Sequence, residues 1–163
     1  MLDLNITIDG DKIVINNLER IADELPEAVN RGLTTIGAGI FDRARAWLSG
    51  TGAKGTTKNR KWTPQQIDPG GYPVPVRTGW LRQSLNWLHP GESMSGDAGS
   101  FTAGPFETVI FDSALYARVI REGTGSSAKY GARDYLTDGF TAFSSEVGVT
   151  TPIEQEIAKL INK

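Results

Sequence analysis

The chain has no cysteine and a single histidine among its 163 residues, which removes several chemistries at once. Without thiols there is no disulfide, no thiolate zinc site and no cysteine nucleophile. The one histidine, His89, precedes Pro90-Gly91 and therefore falls in a turn. A hydrolase triad would need it to meet an activated serine such as Ser84 or Ser93, together with an orienting acid. No Gly-x-Ser-x-Gly elbow presents such a serine. Long apolar runs are also missing, so no segment reaches the ~18 residues expected of a membrane span. The first residues alternate Leu and Ile with acids instead of placing an apolar block behind a basic flank, so no secretory signal is expected. A strong charge of either sign is absent too, since the formal net charge is −2. The acids are scattered, with no calcium-loop or metal-cluster spacing and no carboxylate pair singled out for acid–base work. Gly123-Thr124-Gly125-Ser126-Ser127-Ala128-Lys129 hints at a phosphate loop, but its glycine and lysine spacing fails the Gly-x4-Gly-Lys-Ser/Thr pattern, whose amides must wrap the phosphate. These absences predict a protein with no catalytic residue, no cofactor and no metal.

The length fits one domain over residues 1–163 with room for a real core. With 19 glycines and a middle rich in Gly, Thr, Lys and Pro, the composition predicts an extended loop arm at about 50–79. Loop of that extent in a small domain often orders against a neighbour. Charge within it is uneven. Lys54, Lys58, Arg60, Lys61, Arg77 and Arg82 face one acid, Asp68, between positions 54 and 82. Beside Trp62 and Tyr72 those cations suit phosphate contact and base stacking, so a nucleic-acid-binding module using the 54–82 loop is the alternative reading. A solvated loop, or one docked on an acidic subunit, accounts for the same residues, and a dedicated binder is usually basic overall.

Periodicity supplies the elements. Leu2, Leu4, Ile6 and Ile8 alternate with polar residues as in a half-buried strand. Asp9-Gly10 is a hairpin turn signal, and Lys12-Ile13-Val14-Ile15 reads as the returning strand. Asn16 or Asn17, with Glu19, resembles a helix capping box. From Leu18 to Trp47, apolar residues recur every three or four positions, which predicts a long amphipathic helix. Pro26 and the small residues from Gly32 to Gly39 mark where it kinks or where another backbone comes close. Leu81, Leu85 and Leu88 share a helical face, whereas Leu81, Gln83, Leu85 and Trp87 suit a strand less well. Gly91 to Gly104 reads as a polar turn region and Glu107–Asp112 as a strand. A short helix or irregular segment follows from Leu115, turning at Gly123. Helices are expected from Tyr135 to about Val147 and from Thr151, where Thr151 caps and Pro152 takes the first turn. The expected fold is α+β: a small sheet with an N-terminal hairpin, one long helix packed on it, the loop arm, and C-terminal helices.

The most distinctive stretch is Pro73-Val74-Pro75-Val76-Arg77-Thr78-Gly79-Trp80-Leu81-Arg82-Gln83-Ser84-Leu85. Its prolines hold the approach extended, and Gly79 permits a sharp corner before a short element. It resembles the Pro-Val-x-Thr-Gly-x-Leu-Arg-x-Ser signature of the neck, or tail-completion, proteins of long-tailed double-stranded DNA phages. Tyr116-Ala117-Arg118-Val119-Ile120-Arg121-Glu122-Gly123-Thr124 is similar to that family's Tyr-Ala-x-x-x-Glu-x-Gly-Thr pattern, with the acid shifted next to glycine. Ala132-Arg133-Asp134-Tyr135-Leu136 stands where the family has Arg-Pro-Phe-Leu, with Asp134 in place of proline. By order of elements the resemblance spans about residues 18 to 143. It implies a structural virion protein at the head–tail junction, assembled in the host cytoplasm. Its implied partners are copies of itself in a ring and the connector, tail-terminator or tail-tube proteins, with DNA passing through the lumen and no membrane. The interface residues expected on this basis are Trp62, Tyr72, Arg77, Trp80, Leu81, Arg82, Ser84, Tyr116, Glu122 and Gly123. Trp80 suits an interface anchor or a core position equally, and Trp87 suits the core.

Overall fold

A computed structural model describes residues 10–48, 79–124 and 132–162. The expected strand at Leu2–Ile8 and most of the expected 50–79 arm, including Trp62, Tyr72 and Arg77, lie outside the described residues. The architecture is α+β. One long helix, α1 (Asp11–Trp47), is the spine against which the last two helices and the main strand pair are laid. A five-residue helix, α2 (Trp80–Ser84), runs directly into strand β1 (Leu85–Leu88). A hairpin of β2 (Ser93–Gly96) and β3 (Gly99–Thr102) follows, then β4 (Val109–Asp112). Three helices complete the chain: α3 (Ala117–Glu122), α4 (Tyr135–Glu146) and α5 (Thr151–Ile161). β1 pairs antiparallel with β4, Leu85 opposite Asp112 and Leu88 opposite Val109, while β2 pairs only with β3.

The glycines of α1 explain how so many elements reach one helix. A Cβ on Gly32 would sit 2.7 Å from the Cα of Ile153 in α5. On Gly37 it would meet the Trp87 ring of β1 at 2.7 Å, and on Gly39 the Phe143 ring of α4 at 2.6 Å. α4 returns the arrangement, because a Cβ on Gly139 would stand 2.9 Å from the backbone nitrogen of Ala44. These glycines are thus seats for neighbouring residues, and at Gly32 another backbone comes close as the run of small residues suggested. The cores lie around these seats. Ile36, Ile40 and Phe143 form one cluster, and Ala44, Leu48, Leu81, Leu85, Ala114, Ala117 and Tyr135 another. Leu88, Ala103 and Phe111 form a third beneath the hairpin, where Phe101 stacks on Phe111 at 3.8 Å between centroids.

Four expectations are corrected. Lys12–Ile15 is the first turn of α1 rather than a returning strand, and Asn16 and Asn17 lie inside the helix rather than at its cap. The ladder starts at Val14, whose N–H donates to the Gly10 carbonyl at 3.1 Å. Extending an existing helix adds one bond per residue fixed, and that outweighs the few tenths of a kcal/mol by which β-branched residues disfavour it. The helix expected through Leu81, Leu85 and Leu88 ends at Ser84, and Leu85 turns extended with ψ 125°. The Ser84 carbonyl accepts from the Ser113 N–H at 2.9 Å, so the next residue enters the ladder with β4. The polar stretch from Gly91 to Gly104 holds the β2–β3 hairpin. Its cross-strand contacts are hydroxyl pairs, Ser93 with Thr102 and Ser95 with Ser100, each at 3.0 Å, so it carries little apolar alternation to read. The final helix begins at Thr151 as a helical residue with Thr150 as its cap, one position earlier than expected.

Candidate interface

The stretches Gly79–Ser84 and Tyr116–Gly123 converge on the end of the spine near Leu48. Gly79 adopts φ 75°, the left-handed conformation that glycine takes without strain, and the Gln83 N–H closes the turn on its carbonyl at 3.0 Å. α2 then drops Leu81 into the cluster around Ala44 and Leu48. From the other motif, Ala117 enters the same cluster and Ile120 packs against it. α3 stops at Gly123, where φ is 62° and the N–H donates to the Ile120 carbonyl at 3.3 Å. Gly123 is therefore a helix terminator.

Beneath this meeting lies a part-buried polar knot centred on the Asp112 carboxylate. Ser84 Oγ donates to Asp112 Oδ1 at 2.6 Å, and the Ala114 N–H reaches the same oxygen at 3.0 Å. The Tyr135 hydroxyl, at the start of α4, donates to Asp112 Oδ2 at 2.8 Å. Burial holds the Tyr135 phenol far above its ordinary pKa, and the neighbouring Asp112 charge pushes it further, so it stays protonated as the donor. Ser84 Oγ also lies 2.8 Å from the Trp80 carbonyl and 3.1 Å from that of Leu81. The Ser84 carbonyl accepts from Asn86 Nδ2 at 2.8 Å and from the Ser113 hydroxyl at 3.2 Å. Charge-assisted bonds of this kind are among the stronger ones a fold can make. The knot ties α2, the β1–β4 ladder and α4 to one point.

A second tie secures α3 to α4. Asp134 caps α4, accepting from the Thr137 N–H at 3.4 Å and hydroxyl at 2.8 Å, and it pairs with Arg121 at 2.8 Å. Partial burial works to raise the Asp134 carboxyl, but the bonds from Arg121 and Thr137 outweigh it and the net shift is downward. The Arg121 guanidinium is raised, chiefly by its hydrogen bond to Asp134. Asp134 thus serves as a side-chain cap that satisfies the open end of α4.

The expected interface residues divide cleanly. Leu81 and Ser84 are 8% and 6% exposed and lie in the interior of the chain. Gly123 is half-buried at the α3 terminus. Glu122 is exposed and pairs with Arg118 within α3 at 2.7 Å. Trp80 and Tyr116 are 47% and 40% exposed, beside Leu115 at 73% and the exposed Arg82. These surface residues stand next in sequence to the buried Leu81, Ala114 and Ala117, so both motifs present an aromatic ring at the same end of the spine. Trp87, expected in the core, is half-buried against Gly37 and lies 4.2 Å from the His89 ring. His89 Nδ1 is 3.3 Å from the Thr34 hydroxyl, while Ser84 is committed to Asp112, so these residues do not form a triad. Asp112 and Asp134 were not singled out for any role from the sequence. Asp112 lies 28 positions from Ser84 and 23 from Tyr135, and only the β1–β4 register brings these groups together.

Among the described residues no group of His, Asp or Glu is arranged to hold a metal ion, and no helix is long and apolar enough to cross a membrane. In comparisons with known proteins, no family model, curated protein or solved structure matches the chain.

Proposed function

We propose that the chain is a structural subunit of a tailed-phage virion, placed in the neck, where it joins or completes the tail. The observation that carries this reading is the convergence of the two motifs that resemble the neck proteins. Gly79–Ser84 and Tyr116–Gly123 meet in one core cluster, and each leaves an aromatic side chain exposed beside it. In this role the protein acts by contact rather than turnover. Trp80 and Tyr116 bury against neighbouring subunits, since aromatic rings supply much contact area with few rotors to freeze. Arg82 pairs with a carboxylate across the same joint. Copies arranged in a ring multiply modest contacts into a firm one, and connector, tail-terminator or tail-tube proteins adjoin its faces. DNA crosses the lumen without being read.

The test is deletion of the gene in the parent phage, with the lysate viewed by negative-stain electron microscopy. Filled heads and finished tails lying apart support joining. Tails of abnormal length move the role to completion, and normal particles overturn the proposal. Head–tail joining that survives both Trp80→Ala and Arg82→Glu removes this surface from the joint.

A further inference from the structure

We propose that the outer edge of β2 is a strand-docking site, and that its occupant is the segment 73–77 of a second copy of this chain. The hairpin register shows which backbone groups are open. The Ala103 N–H donates to the Glu92 carbonyl at 2.8 Å, so bonding toward β3 falls on Glu92, Met94 and Gly96. Ser93 and Ser95 lie between them and turn their N–H and C=O groups the other way. Among the described residues no strand pairs with β2 on that side. All four β2 residues are exposed within one chain, Met94 at 41%. The strand carries no charge and no proline to blunt this edge, and only its shortness guards it.

The sequence Pro73-Val74-Pro75-Val76-Arg77, outside the described residues, has the complementary pattern. Residues two apart in an extended chain direct their N–H groups to the same edge. Pro73 and Pro75 have no N–H, so such a strand donates only on the edge of Val74 and Val76 and suits the border of a sheet. Laid antiparallel on β2, Val74 faces Ser95 and Val76 faces Ser93, and each of these pairs exchanges two backbone bonds. Pro75 then covers Met94, and Arg77 stands directly opposite the exposed Glu92. Opposite charges placed so across two strands attract.

Charge selects this occupant over a second β2. Between residues 83 and 117 the chain has the acids Glu92, Asp97, Glu107 and Asp112 and no lysine or arginine. Between residues 54 and 77 it has Lys54, Lys58, Arg60, Lys61 and Arg77 against one acid, Asp68. Two β2 edges paired about Met94 would instead bring Glu92 of each copy close to Asp97 of the other. Because one copy gives the strand and the next supplies the edge, the contact is heterologous and closes as a ring or a reciprocal pair. The inference does not depend on the neck reading.

The test uses the full chain. Sedimentation velocity over a hundredfold concentration range should show reversible association. Ser95→Pro takes away an outward N–H that the hairpin does not use and should weaken association at least tenfold. Ser95→Ala keeps that N–H and should leave association within twofold of the wild type. Because the chain lacks cysteine, introduced thiols report the pairing directly. Pro75→Cys chains mixed with Met94→Cys chains should become disulfide-linked on mild oxidation, since facing residues of this kind of pair have Cα atoms about 4.5 Å apart. A monomer at every concentration, or association indifferent to Ser95→Pro, overturns the proposal. Efficient cross-linking of Met94→Cys chains with one another makes a second β2 the occupant and overturns it too. So does a chain carrying both substitutions that closes its disulfide internally and stays monomeric, because the segment then pairs within its own chain.

Discussion

From Ala28 to Ala44 every fourth residue of α1 (Ala28, Gly32, Ile36, Ile40, Ala44) is buried, as is Leu48 at its cap, whereas from Lys12 to Glu19 every residue is exposed. Both halves carry the same three- and four-residue apolar spacing. The difference lies in what the rest of the chain brings to them. The second half offers glycine seats that admit the backbone of α5 and the Trp87 and Phe143 rings of β1 and α4, and the first half carries β-branched and leucine side chains with no such seat. Apolar pattern therefore decides where a helix forms, and small residues decide where it is covered.

Substitutions can break this contrast in graded steps. Tyr135→Ala removes a fully buried ring and its bond to Asp112, and should cost about 3–5 kcal/mol in denaturant unfolding. Gly32→Val forces a side chain into the backbone of α5 and should cost about 1–3 kcal/mol, despite the better helix propensity of the new residue. Hydrogen exchange should then show α5 loosened while the β1–β4 ladder stays protected. Tyr135→Phe keeps the ring but takes one donor from the Asp112 carboxylate, for an expected loss of about 1–2 kcal/mol. Leu18→Ala in the open half, measured in dilute solution, should change stability by no more than about 0.5 kcal/mol. A loss of 2 kcal/mol there would show that the two halves do not differ in burial as described.

The smallest expected effect is a pH dependence. The Asp134 carboxyl is lowered in the folded state, so its contribution is fully present above the unfolded carboxylate value of about 4 and is lost as pH falls through the lower folded value. Asp134→Asn should flatten that part of the acid unfolding profile and leave the profile above about pH 5 parallel to the wild type. Arg121 and Asp134 are both more than a third exposed, so added salt should also shrink the difference.

Much of the architecture was legible in the sequence because its signals are local. The apolar spacing from Leu18 onward, the glycines of α1, the strand ending at Asp112, the turn at Gly123 and the helix from Tyr135 all announce themselves within a few residues. What was not legible depends on partners far away in the chain. Ser84 ends a helix because Ser113 claims its carbonyl, and the β2–β3 hairpin is held by hydroxyl pairs that carry no hydrophobic period. Trp80 and Tyr116 are exposed, whereas Leu81 and Ser84 are buried, and no local signal separates the two pairs. A motif shows which residues stand together; the packing around Leu48 and Asp112 determines which of them face out.

The glycine seats have a mechanical consequence. Sliding α1 by one turn, about 5.4 Å, would carry Ile36 or Ala28 to the seat of Gly32, Phe41 or Leu33 to that of Gly37, and Arg43 or Thr35 to that of Gly39. All three positions would have to be vacated together, because α5, β1 and α4 grip them at once. The helix is thus keyed like a shaft with three splines. At about 1.5 Å per residue it runs some 55 Å, and three seats within residues 32–39 fix its axial position against the rest of the fold.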